Sequence, residues 1–132
     1  MSWDAKPVGW AYVAGFTDGE GHIGITWNGK NPNFKVTLYQ NAEQSWVLHE
    51  IQEFLESEGI DARFYAAKRK VDVRRPTVGY FLSVRRVADV QKFLQSAMPY
   101  LIVKRGAAIE VLKAIDKKAK TSPRTAAKLR AV

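Results

Sequence analysis

A chain of 132 residues with a formal net charge of +8 and 46% hydrophobic residues is one domain of ordinary size, long enough to bury a core. Its 26% charged and 11% aromatic fractions exclude a disordered chain. The complete lack of cysteine excludes disulfides, a thiolate zinc site and a cysteine nucleophile; with only two histidines, any metal must sit on oxygen ligands.

Pro7, preceded by the potential caps Ser2 and Asp4, opens a helix of about three turns that ends near Gly19. From His22 to Trp27 apolar Ile23, Ile25 and Trp27 alternate with His22, Gly24 and Thr26. NGKNPN then turns the chain, and Phe34, Val36 and Leu38 alternate with Lys35, Thr37 and Tyr39, which predicts a hairpin with one greasy face. Trp46, Val47, Leu48, Ile51, Phe54 and Leu55 take helical spacing between Ala42 and Glu58, with Gly59 as the stop. A second strand pair fits Ala62 to Lys70 and Pro76 to Val84, around the charged run KRKVDVRRP. Val87, Val90, Phe93, Leu94 and Ala97 make another amphipathic helix, ended by Pro99, and Ala108, Val111, Leu112 and Ile115 mark a last one. Residues 117–132, with few large apolar side chains and a Ser-Pro break, read as a mobile basic tail to a domain of residues 1–116. Trp10, Trp27 and Trp46 sit at apolar-phase positions and are expected in the core, and His49 is expected at the surface.

The order predicts an α+β fold: two hairpins sharing one antiparallel sheet, with helices on one face. The other face is left open, with His22, Thr26, Asn28, Lys35, Thr37, Arg63, Tyr65 and Arg69 as candidates for base-edge contacts. The charge supports that partner. Residues 41–61 hold six acids and no Lys or Arg, whereas residues 62–86 hold eight basic and one acidic side chain and residues 104–132 nine and two. Such clustering points to a polyanion, the alternative being a merely solvated basic face. Lys68, Lys70, Arg74 and Arg75, with Lys117, Lys118 and Lys120, are expected on phosphates, while Arg85 and Arg86 stay open between solvent and partner. No stretch approaches the roughly 18 apolar residues of a membrane span. MSWDAKP lacks a secretory signal pattern, so the expectation is an intracellular protein, of a bacterial cytoplasm or an organelle, with no membrane partner.

Two carboxylates, Asp18 and Glu20, stand where the first helix meets the first strand, and Gly19 and Gly21 flank the second, so the backbone there is free to take positive φ and to come close to another backbone or a ligand. Such an accessible carboxylate suits Mg²⁺, which takes one or two carboxylates and fills its shell with water and substrate oxygens. Alternatively, Asp18 only caps backbone and Glu20 is a solvated turn residue.

The segment Val13-Ala14-Gly15-Phe16-Thr17-Asp18-Gly19-Glu20-Gly21 resembles the nine-residue signature of the LAGLIDADG homing endonucleases, and residues 7–116 follow that family's αββαββα order. Val13 and Thr17 replace the usual larger aliphatics, and Glu20 replaces the commoner Asp. The resemblance implies a homodimeric, site-specific endonuclease for double-stranded DNA, with a long pseudo-palindromic target, encoded in a mobile intron and with no small-molecule substrate. It implies Glu20 as catalytic metal ligand, Gly19 as a carbonyl ligand, and Asp18 as the acid that stabilises the helix end. It also implies Gly15 and Gly19 as the close-packing surface between two motif helices, Gln40 as the residue that orders water, and Lys104 as a basic member of the pocket. The metal implied is Mg²⁺, with Mn²⁺ or Ca²⁺ in its place. Ala107 stands where the family often has Gln. One motif gives one Glu20 per chain, so the shared site needs two chains. The alternative function is a non-cleaving module of the same fold, an intron RNA maturase or a DNA-binding regulator.

Overall fold

The computed structural model describes residues 8–67 and 79–131. Expected phosphate and base contacts at Lys68, Arg69, Lys70, Arg74 and Arg75, and the expected caps Ser2 and Asp4, lie outside the described residues. Helix α1 (Trp10–Glu20) leads directly into β1 (Gly21–Asn28) and β2 (Asn31–Asn41). A 3₁₀ turn (Ala42–Gln44) precedes α2 (Trp46–Ser57), and β3 (Arg63–Ala67), β4 (Gly79–Val84) and α3 (Val87–Ala97) follow. After a second 3₁₀ turn (Met98–Tyr100) come α4 (Arg105–Thr121) and α5 (Pro123–Arg130). Gly59 takes φ +78° behind α2, the left-handed turn that lets Ile60 N–H return to Leu55 O at 2.9 Å.

The strands form one antiparallel sheet in the order β1-β2-β4-β3. Strand side chains alternate between faces, and the register carries that alternation across the sheet. Ile23, Phe34, Val36, Leu38, Leu82 and Val84 point into the helix layer, where Val13, Leu48, Ile51, Leu55, Phe93, Leu94 and Ile115 bury against them. Among the described residues no helix covers the opposite face, and there His22, Thr37, Ser83 and Arg63 fall in one row. Among the described residues no helix is long and apolar enough to cross a membrane.

Three expectations are corrected. Trp27 and Trp46 are 66% and 61% exposed, although their phase is apolar. Trp27 pairs with Pro32 at the outer end of the hairpin, and Trp46 is the first residue of α2, so neither has a neighbouring layer over it. Trp10 alone meets the expectation, its ring edge-on to Phe54 and Phe93 at 5.2 and 5.4 Å and its indole N–H donating to Glu58 at 3.0 Å. Residues 117–131 are also not a loose tail. Ser122 Oγ accepts from Thr125 N–H and Pro123 takes the first helical position, so the Ser-Pro pair read as a break is the start of α5. Buried Thr125 and half-buried Leu129 then fix α5 to the body.

Candidate active site and nucleic-acid interface

At the end of α1, Thr17 is fully buried and its hydroxyl donates to Val13 O at 2.7 Å, while Gly21 N–H donates to Thr17 O. Gly21 is extended (φ −105°, ψ 167°), and among the described residues only Gly29 and Gly59 have positive φ. Of the two freedoms expected of these glycines, positive φ is not used at Gly19 or Gly21, whereas the close approach of backbone to backbone is what Gly21 provides. A Cβ on Gly21 would lie 2.7–2.9 Å from the carbonyl oxygen, Cα and Cγ2 of Thr17. Backbone sits against backbone there, which is how α1 passes into β1 without a loop. Gly21→Ala is expected to cost about 1–3 kcal/mol as an overpacked contact. An unchanged denaturant midpoint would refute that role.

Asp18 is committed to structure. Its carboxylate accepts Ile102 N–H at 2.8 Å and Lys104 N–H at 2.9 Å, and Lys104 Nζ donates to Asp18 O at 2.7 Å. These bonds fasten the end of α1 to the segment that precedes α4. Burial pushes the Asp18 carboxyl up, but the N–H groups of Lys104, Ile102 and Val103 and the Lys104 ammonium outweigh it and hold the group below its ordinary value. A depressed carboxyl contributes stability that is complete above its unfolded value, about 3.9, and is lost as pH falls through the lower folded value. Asp18→Ala should thus lower the melting temperature at neutral pH and converge with wild type in acid. Parallel melting curves from neutral to acid pH would contradict it.

Glu20, two residues on, is exposed and makes no hydrogen bond or ion pair among the described residues. The same end of the sheet holds Gln40. Gly21 pairs with Leu38, so Gln40 lies beyond the start of β1, half-buried on Leu38's side of the strand, with Oε1 accepting Asn41 N–H at 2.9 Å. Lys104 is bonded to the end of α1 beside Glu20, and Gln40 lies two residues past the partner of Gly21 on β2. Above them the face of α1 that carries Tyr12, Gly15 and Gly19 is exposed, and a Cβ on Gly15 or Gly19 would meet nothing within 4 Å. Among the described residues no group of three His, Asp or Glu side chains is placed to hold a metal. An accessible, unengaged carboxylate oxygen still fits a hard cation such as Mg²⁺, with further ligands from outside the chain.

On the open face, Thr26, Lys35, Thr37, Arg63 and Tyr65 share the side of His22, whose imidazole lies over Gly24, and exposed Asn28 ends the row at the hairpin turn. Sequence reading missed the contribution of β4. Phe81 and Ser83 alternate with Leu82 and Val84, Ser83 being itself buried on the open side, and Arg85 continues their phase into solvent. Tyr65 stacks on Phe81 at 5.1 Å, and the Arg85 guanidinium stands 5.2 Å from the Tyr65 ring while its Nε donates to Ser83 Oγ at 3.0 Å. Arg63 and Arg86 share Asp61 at 3.5 and 3.6 Å. Cations held in this way on a twisted, open sheet present guanidinium forks suited to guanine edges and phosphates.

No protein-family model and no curated protein sequence matches the chain. Solved structures do. The homing endonuclease I-CvuI, in complex with its target in the presence of Ca, is 27% identical with a TM-score of 0.63, over 83% of this chain and 66% of that one. The homing endonuclease I-TnaI is 18% identical with a TM-score of 0.59, over 94% and 84% of the two chains. The meganuclease I-SmaMI, bound to uncleavable DNA, is 18% identical with a TM-score of 0.62, over 93% of this chain and 42% of that one. The chain spans just under two thirds of I-CvuI and less than half of I-SmaMI. With its αββαββα core and the segment from Val13 to Gly21, the chain is a structural relative of the LAGLIDADG homing endonucleases.

Proposed function

We propose that two copies of this chain form a site-specific endonuclease that hydrolyses phosphodiesters of double-stranded DNA at a long pseudo-palindromic target of the kind interrupted by a mobile intron. The observation that carries this reading is the contrast between the two motif acids: Asp18 is held by Ile102 and Lys104, while Glu20 is exposed and unengaged among the described residues. A protein that only bound DNA would gain nothing from an unpaired acid facing a polyanion. I-CvuI has been seen on DNA in the presence of Mg and of Ca.

One chain offers one Glu20, and the bare Gly15 and Gly19 face invites a second copy. Large apolar side chains lie exposed on the chain as well, with Ile102 at 83% and Val103 at 77%. A self-complementary pairing of two α1 helices across the glycines brings both Glu20 carboxylates to the two-fold axis and sets one sheet over each half-site. Mg²⁺, or Mn²⁺ or Ca²⁺ in its place, would be held by Glu20 and the Gly19 carbonyl, and when bound it supplies charge neutralisation and water activation. The chain supplies the rest. Gln40 presents an amide that orients water beside the scissile phosphate. Lys104, anchored on the Asp18 carbonyl, keeps a cation within the same end of the fold to steady phosphoryl oxygens.

Incubating the purified chain with Mg²⁺ and a library of intron-insertion sequences, then sequencing the cut ends, tests the reading. Double-strand breaks at one long, near-symmetric sequence, abolished by a chelator, are expected. A chain that binds such duplexes and leaves them whole is a non-cleaving module, and the nuclease reading fails.

A further inference from the structure

Strand β2 outruns its neighbour. Val36 to Asn41 pair with β4, whereas Asn31 to Lys35 pair only with β1, because β4 ends at Val84 and the chain turns into α3. The notch left at that edge is closed from outside by α4 and α5, with Lys118 Nζ donating to Pro32 O at 3.2 Å. A cavity of about 480 Å³ fills the notch, and Arg85, Arg86, Lys118 and Lys128 all line it. Among the described residues of the wall the one acid is Asp89, which is only 7% exposed and accepts Asp61 N–H at 3.3 Å. Three of the cations are held in place by Ser83, Asp61 and Pro32, and Lys128 is exposed. A smaller hollow on the open face, walled by Thr26, Lys35 and Arg85, shares Asn33, Phe34 and Arg85 with the notch, so positive charge continues from the sheet into it.

Four cations around one cavity repel one another, and an anion relieves that repulsion. Among the described residues the notch has a single aromatic, Phe34, which gives little stacking surface to hold a base. We infer that the notch receives a backbone phosphate of duplex DNA just outside the base pairs that lie on the sheet, with α4 and α5 acting as a backbone clamp. This rests on the reading of the open sheet as a DNA surface. It gives the basic C-terminal residues a defined place: they add affinity that is independent of sequence, while the sheet reads bases.

The test is duplex binding by the full chain and by Lys118→Gln/Lys128→Gln, on two unrelated duplexes across a range of salt. The double variant is expected to bind both more weakly by the same factor. Its slope of log affinity against log salt should be shallower by about one to two for each chain bound. Equal affinity and slope in variant and wild type would overturn the clamp and leave the DNA reading standing, as would a loss confined to one sequence. A wild-type chain that binds no duplex at low salt removes both together. Because the chain has no cysteine, Lys128→Cys carrying a photoactivated aryl azide gives a second readout. Cross-linking to duplex DNA is expected from position 128 and not from an identically labelled Glu53→Cys on α2. Labelling of an RNA hairpin in preference to the duplex would overturn the assignment.

Discussion

Glu20→Gln should abolish DNA cleavage, by about 10³-fold or more, and leave duplex binding intact. The amide keeps the size of the side chain and removes the charge that holds the metal, and such a loss is worth several kcal/mol of barrier, each 1.36 kcal/mol being tenfold in rate. The structure makes this substitution clean. Glu20 is exposed and has no partner among the described residues, so the melting temperature should not move. Asp18→Ala is the matching control, because Asp18 is engaged by Ile102 and Lys104 and its loss should show first as a less stable protein. A Glu20→Gln protein that cuts at the wild-type rate places catalysis elsewhere, whatever the fold.

The partners of Asp18 show where sequence reading runs out. Both carboxylates were visible in DGEG, but the partners of Asp18 lie 84 and 86 residues further on, and no local pattern announces them. The hairpin faces were legible because Phe34, Val36 and Leu38 alternate cleanly with Lys35, Thr37 and Tyr39 and one face is buried. Sheet order was not, since β4 inserts between β2 and β3 and only tertiary pairing decides that. Trp27 failed for a related reason: phase says which way a side chain points, not whether a layer lies there to cover it. Ser122-Pro123 was a matter of chemistry misread, since Ser before Pro can start a helix as well as end one. Arg85 could have been found by continuing the β4 alternation one residue past Val84.

Gly15→Leu should leave each chain folded, or slightly more stable, and destroy the enzyme. A side chain at Gly15 meets nothing within 4 Å inside its own chain, and replacing an exposed helical glycine by leucine favours the helix by roughly 0.5–1 kcal/mol. If a second α1 packs across that face, the same side chain holds the two backbones apart. Sedimentation is then expected to show monomers at concentrations where wild type is dimeric, with cleavage lost because each chain brings a single Glu20. A wild-type chain that stays monomeric both free and on DNA yet cuts, or a Gly15→Leu chain that is dimeric and active, would contradict a shared site. Mixing sharpens the test. Glu20→Gln subunits added to wild type should depress cleavage beyond simple dilution, because mixed dimers carry one carboxylate where two are needed. Glu20→Gln placed on a Gly15→Leu chain should lose that effect, since it cannot pair. Inhibition by the double variant equal to that by Glu20→Gln alone would mean competition for DNA rather than exchange of subunits, and the pairing of α1 helices would fall.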